Sequence, residues 1–158
     1  MNDSVIVYGS LLSKTQLNDT FNKYETIKVQ IDGLSRYMNQ RSDVREPESG
    51  AVLNVVEESE SWINALLVYD ISEGFEKYKQ RETGYSLDTI SASRMQAYDK
   101  QEIPVKNSII PRGQLVVEKN SGYVPIPEYI EECVDGAKDW GPEFVRDFVI
   151  TTHGFPDD

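Results

Sequence analysis

The chain is poor in the side chains that most often hold metals or form covalent intermediates. Its 158 residues include one cysteine, Cys133, and one histidine, His153. A lone cysteine closes no internal disulfide, and without a cysteine pair or two histidines at helical spacing there is no zinc pattern. The alternating acidic residues and glycine of a calcium loop are missing too, so no metal is expected. Neither G-x-x-x-x-G-K-[ST] nor G-x-G-x-x-G occurs, which removes the common phosphate-cradling loops. No apolar run approaches the roughly 20 residues a helix needs to cross a bilayer, and no membrane partner is expected. Positive charge is scarce: 16 Lys and Arg stand against 27 Asp and Glu, a formal net charge of -11. Such a surface repels phosphates and anionic lipid, so nucleic acid is not an expected partner. The opening MNDSVIVYGS has no basic stretch before its short apolar run and no cleavage-like pattern after it. It does not read as a signal peptide, and cytoplasmic residence is the expectation.

What is present is the composition of an ordinary globular protein, with 39% hydrophobic and 27% charged residues. The length fits one domain spanning residues 1–158. Ser4 to Tyr8 is a short β-prone run, and Ser13 followed by Gln16 fits a helix capping box. Leu17, Phe21 and Tyr24 continue that helix to about Lys23. Thr26 to Asp32 alternates strictly, placing Ile27, Val29 and Ile31 on one face of a strand that Leu34 to Met38 extends past Gly33. Gln40 to Gly50 is polar and contains Pro47, which predicts a loop. The runs Ala51 to Val56 and Trp62 to Ile71, separated by EESES, predict a hairpin with an acidic turn. Ser72 is placed to cap a short helix from Glu73 to about Arg81 that carries Phe75 and Tyr78 on one face. Leu87 to Ala97 reads as extended, DKQEIPVKNSIIPRG as a connection, and Gln114 to Val117 as a further strand. Pro127 and Pro142 each suit the first position of a helix. The second helix is expected to close near Gly154 and Pro156. Strands dominate the first two thirds, which predicts an α+β fold with a mixed or antiparallel sheet, curled into a small β-barrel with peripheral α-helices.

Four side chains come forward as candidates for chemistry. Ser10 lies in a tight turn after a strand, but the G-x-S-x-G elbow is absent and His153 is the only imidazole available as its base. Cys133, in the helical segment YIEECVDGAKDW, reads as a small core residue, and His153 as a helix-end or surface residue. Glu82, in YKQRETGYS, falls where a short helix gives way to a glycine-containing turn. Either it is held partly desolvated, which raises its pKa and makes it a usable general base, or it is a solvated helix-end residue paired with Arg81.

VIVYGSLL, residues 5–12, followed much later by a short helix running into RETGY, residues 81–85, resembles the γ-glutamylcyclotransferase-like superfamily, which includes AIG2-like and ChaC-like proteins. Between these motifs the order also fits: an alternating strand with GLSRY, then GAVLNVV, then WINALLVYDIS leading into the helix. PIPEYIEECVDGAKDWGPEF is similar to the carboxyl-terminal helices of ChaC-like members, so the resemblance covers nearly the whole chain. It implies a mixed β-barrel with peripheral helices and an enzyme that releases 5-oxoproline from a γ-glutamyl amide or amine without metal or cofactor. Carried onto this sequence, Tyr8, Gly9, Ser10 and Leu11 form the loop that binds the amino acid end of the substrate, and Glu82 is the catalytic acid/base. The partner implied is a small-molecule γ-glutamyl substrate, with the protein a monomer or homodimer. Where ChaC-like enzymes follow YGSL with a bulkier, aromatic-containing segment, this chain has Leu12-Ser13-Lys14, so a preference for glutathione does not follow.

Several residues keep two readings. Arg36 in GLSRY either helps bind the substrate or forms a salt bridge on the acidic surface. Tyr85 either supports Glu82 by a hydrogen bond or packs in the core. The segment Gln40 to Gly50, with Arg41 and Arg45, either shapes the leaving-group side or is a solvated turn. A non-catalytic module that binds a small metabolite or a protein on the same fold is the competing function.

Overall fold

The computed structural model describes residues 3–41, 50–82, 85–113, 124–125 and 127–153. Among the described residues, eight strands form one mixed sheet, with helices outside it. β1 (Asp3–Val7) runs through a single 3-10 turn (Ser10–Leu12) into α1 (Lys14–Thr20), and β2 (Lys23–Arg41) follows. β3 (Gly50–Glu73) leads into α2 (Phe75–Arg81). β4 (Tyr85–Ser91), a 3-10 turn (Ala92–Arg94), β5 (Met95–Ala97) and β6 (Asn107–Gly113) come next. β7 (Val124–Pro125), α3 (Pro127–Lys138), α4 (Pro142–Ile150) and β8 (Thr152–His153) complete the order. The main path through the sheet is β4-β6-β1-β3-β2-β5, with β7 beside β3 and β8 beside β2. β1 is parallel to β6 and antiparallel to β3, so the sheet is mixed and the fold is α+β, as the order of elements predicts.

Burial follows the sequence pattern. In β2, Ile27, Val29 and Ile31 are all at most 4% exposed, whereas Asp32 faces solvent. β3 lies between β1 and β2, and there Ile63 to Val68 is buried without alternation because both faces are covered. The Ser13 side chain accepts a hydrogen bond from the Gln16 backbone N–H at 3.3 Å, the expected cap of α1. Phe144 and Phe148 of α4, with Tyr129, Cys133 and Ala137 of α3, face the core. Cys133 is therefore the core residue its surroundings predict.

Several expectations are corrected. The runs 51–56 and 62–71 do not fold back on each other; both pair with β2 along one long strand. Leu34 pairs with Glu57 and Asp32 with Trp62, so residues 58–61 bulge out opposite Gly33. In that bulge Glu58 accepts from the Ser35, Tyr37 and Ser61 hydroxyls, and beside it two arginines hold Glu57. A β2 long enough to pair with both runs wins over a local turn. Beyond the bulge the first part of β3 crosses toward β6, where the Asn54 side-chain oxygen accepts from the Gly113 N–H at 2.6 Å. The sheet curls there.

α1 ends at Thr20 rather than near Lys23, because Phe21 is extended and β2 begins at once. Ser72 does not cap α2. The N-cap is Gly74, at φ 106°, and a Cβ there would lie 2.2 Å from the Thr20 carbonyl oxygen, so the packing of α1 demands glycine. Gln40 and Arg41 belong to β2 and Gly50 to β3; Arg45 and Pro47 lie outside the described residues. The run 87–97 is broken by a 3-10 turn, and NSIIPRG is strand β6 rather than connection. Pro111 sits beyond the β1 pairing at Val5 and Ile109, and its carbonyl oxygen accepts a hydrogen bond from the Tyr8 hydroxyl. The expected strand 114–117 and the stop at Gly154 and Pro156 lie outside the described residues.

Candidate active site

The loop Tyr8 to Leu11 leaves the end of β1 directly into the 3-10 turn, which the Leu12 N–H closes on the Gly9 carbonyl at 3.0 Å. The N–H groups of Ser10 and Leu11 are thus the first two of that turn. A Cβ on Gly9 would stand 3.0 Å from the Tyr129 hydroxyl and 3.6 Å from the Leu53 side chain, so α3 and β3 both approach the loop backbone here. The loop is braced from outside. Trp140 Nε1 donates to the Leu12 carbonyl at 2.6 Å, the Lys14 N–H donates to the Asp139 carboxylate at 3.0 Å, and the Lys14 ammonium lies over the Trp140 ring.

The second motif meets this loop. Arg81, the last residue of α2, donates from Nη2 to the Ser10 hydroxyl at 2.9 Å and from Nη1 to the Gln16 side chain at 3.2 Å. Its guanidinium thus ties α2 to the loop and to α1, and no ion pair of Arg81 with Glu82 exists among the described residues. Glu82 closes α2: its N–H donates to the Tyr78 carbonyl, and its own carbonyl accepts from the Tyr85 N–H, each at 3.1 Å. Its carboxyl group has no hydrogen-bond partner among the described residues. Burial pushes its pKa up to about 7, with the Arg81 charge pulling weakly the other way. Thr83 and Gly84 lie outside the described residues.

The Tyr8 and Tyr78 phenols lie close enough to Glu82 to feel its charge. Tyr8 is 5% exposed, and its acidity is suppressed by burial first and then by the charges of Tyr85, Glu82 and Tyr78. Tyr85 donates its hydroxyl to the Leu53 carbonyl, which binds β4 to β3 across the loop. That bond goes to backbone rather than to Glu82. Burial also holds the Tyr129 phenol well above its usual range. Tyr129, which opens the helical segment YIEECVDGAKDW and reaches the Gly9 backbone, is part of the surroundings of the loop, and Tyr78 lies beside Glu82; a phenol four residues before Glu82 on the same helix is the signal that marks Tyr78.

Arg36 is corrected most. It is 0% exposed, and each of its five N–H groups is satisfied by protein. Nη1 donates to the carbonyls of Tyr8 (3.2 Å) and Asn64 (2.8 Å), Nη2 to the Asn64 side chain and the Thr151 hydroxyl, and Nε to the Thr152 hydroxyl, the last three at 2.8 Å. The guanidinium carbon lies 4.3 Å from the centre of the Phe148 ring. It forms no salt bridge among the described residues and has no donor left for a ligand. Burial lowers its pKa to about 10. Arg36 holds the loop from beneath, through the Tyr8 carbonyl. His153 stacks on Tyr37 at 4.8 Å, at the exposed β8 edge, while the Ser10 hydroxyl bonds with Arg81, so no Ser-His pair forms.

Comparison with known proteins gives the fold a name. No family model matches the chain, and no curated protein sequence matches it. Solved structures do. A γ-glutamyl cyclotransferase superposes with a TM-score of 0.74 at 10% identity, over 96% of this chain and 88% of that one. An uncharacterized protein from Homo sapiens gives 0.72 at 12% identity, over 95% and 88%. A yeast γ-glutamyl cyclotransferase specific to glutathione gives 0.56 at 16% identity, over 76% and 74%. The chain has the γ-glutamylcyclotransferase-like fold. Among the described residues no helix is long and apolar enough to cross a membrane.

Proposed function

We propose that the protein is a γ-glutamyl cyclotransferase that releases 5-oxoproline from a γ-glutamyl amide or amine, with Glu82 as general acid and base. The observation that carries this reading is the Glu82 carboxyl group, without a hydrogen-bond partner among the described residues and raised to a pKa of about 7, beside the Tyr8 to Leu11 loop. A carboxylate titrating near neutrality both accepts and returns a proton at working pH.

The substrate carboxylate is seated by the N–H groups of Ser10 and Leu11 at the start of the turn, with the Arg81 guanidinium behind Ser10. Ionised Glu82 takes a proton from the substrate α-ammonium. The freed amine attacks the γ-carbonyl carbon of the same molecule, forming the ring C–N bond, and the bond from that carbon to the leaving nitrogen breaks. The attack is intramolecular, so a site that enforces the folded conformer gains the large advantage of proximity. Glu82 passes its proton to the departing nitrogen. The second proton lost by the ring nitrogen also ends on the departing amine, which leaves as an ammonium, and Glu82 finishes ionised as it began. The products are 5-oxoproline and a free amine. Such a protein works in the cytoplasm as a monomer or homodimer and draws on no cofactor.

The test is incubation with a panel of γ-glutamyl amides, amino acids and amines, reading 5-oxoproline. Product is expected from at least one member, with a loss of about a hundredfold or more in Glu82→Gln. Product from none would remove the activity, and undiminished product from the variant would remove Glu82 from the mechanism.

A further inference from the structure

Tyr78 is 0% exposed, and its hydroxyl has no hydrogen-bond partner among the described residues. A buried, unsatisfied hydroxyl costs stability, so its presence asks for a compensating use. Its ring is fixed, lying against Phe21 and Phe75 with centroids 5.8 Å away in each case, so the hydroxyl is held in one place. Tyr78 is four residues before Glu82 and accepts the Glu82 N–H on its carbonyl, which puts the two side chains on one face of α2. The Glu82 carboxyl group and the Tyr78 hydroxyl are thus an acceptor and a donor at the same end of α2, not hydrogen-bonded to each other and without a hydrogen-bond partner elsewhere among the described residues.

We propose that Tyr78 is a positioning residue: when Glu82 ionises, its carboxylate rotates onto the waiting Tyr78 hydroxyl, which then donates a hydrogen bond to it and fixes the oxygen that faces the substrate amine. This deepens the assignment of Glu82 as acid and base and rests on it. A phenylalanine at position 78 would pack equally well without the orphaned hydroxyl. The other ionisable groups around Glu82 do not substitute for this donor. Tyr8 donates to Pro111 and Tyr85 to Leu53, each a backbone carbonyl. Arg81 is held by Ser10 and Gln16, and Arg36 is fully bonded beneath Tyr8. Tyr129, from α3, approaches Gly9.

Tyr78→Phe separates this role from a structural one. Its thermal stability should match or exceed that of the wild type, since only an unsatisfied hydroxyl is removed. The Glu82 carboxyl titration, followed by carbon-13 NMR and assigned by its disappearance in Glu82→Gln, should move up by about one pH unit, because a bond to the ionised form is lost. With an active γ-glutamyl substrate, kcat should fall about tenfold or more with KM little changed, and the acid limb of the rate profile should rise with the carboxyl midpoint. An unchanged Glu82 midpoint would overturn the pairing, and an unchanged kcat in an active enzyme would overturn its positioning role. If the wild type releases no 5-oxoproline, the functional reading fails, while the titration still decides whether Tyr78 and Glu82 pair.

Discussion

Tyr8 lies between two charged groups that the fold treats in opposite ways, the buried Arg36 and the half-buried Glu82. On its carbonyl side, Arg36 is wrapped by five hydrogen bonds and an aromatic face and touches four parts of the chain: the end of β1, β3, the end of α4, and β8. On its ring side, Glu82 lies near the Tyr8 and Tyr78 phenols, and its carboxyl group lacks a hydrogen-bond partner among the described residues. A buried ion with every donor matched is a strut; its geometry cannot change without breaking the contacts that keep it there. A half-buried carboxyl group with no hydrogen bond to its charged form is ready to change its protonation when something binds. The same burial that lowers the Arg36 pKa raises that of Glu82, and the difference in bonding assigns one to the scaffold and the other to the proposed chemistry.

Breaking the strut should have the largest effect on stability. Arg36→Met keeps much of the volume but leaves the carbonyls of Tyr8 and Asn64 and the Asn64 side-chain oxygen without their donor. A loss of about 3 to 5 kcal/mol in unfolding free energy is expected, read from urea denaturation. A loss under about 1 kcal/mol would mean that water or the neighbouring threonines replace the guanidinium, and that the loop does not depend on it.

Glu82 should give the next largest effect, with opposite sense. Its folded pKa of about 7 lies above the ordinary 4.5, so the native state binds the proton more tightly. Its contribution to stability is fully present below pH 4.5 and lost as pH rises through 7, by roughly 3 kcal/mol in all. Denaturation at pH 5 and pH 8 should therefore show Glu82→Gln gaining on the wild type at the higher pH. Equal pH dependence in the two proteins would place the carboxyl group in solvent and remove the contrast with Arg36.

The contrast was legible in the sequence only from the Glu82 side. A carboxylate at a helix end before a glycine, paired with a YGSL turn, already suggested a desolvated acid. Nothing local distinguishes Arg36 from a surface arginine, because its partners come from residues 8, 64, 151 and 152 and meet only through the fold. The same division holds for the elements. The alternation of Ile27, Val29 and Ile31, the Ser13 cap and the prolines opening α3 and α4 act over a few residues and were readable. The two runs of β3 looked like a hairpin because EESES resembles a turn, and what overrides it is a distant strand long enough to pair with both. Gly74 likewise depends on the Thr20 carbonyl, not on its sequence neighbours.

Glu57 sharpens the comparison from a third position. It is as fully bonded as Arg36 but not buried: Arg94 holds its carboxylate with two N–H groups at 2.9 and 3.0 Å, Arg112 adds a third at 2.6 Å, and its side chain remains 53% exposed. The hydrogen bonds from Arg94 and Arg112 hold its pKa down to about 2. A depressed carboxyl pKa contributes stability above pH 4.5 that is lost as pH falls toward 2. Water and salt screen a pair this exposed, so Glu57→Gln should cost under about 1 kcal/mol at pH 7, and less again in 1 M salt. If hydrogen-bond count alone set the value of a charge, this variant would rival Arg36→Met. A loss of that size, measured by the same urea titration, would show that the curl of the sheet at the bulge hangs on the arginine pair. The small loss expected would show instead that burial makes the Arg36 bonds matter.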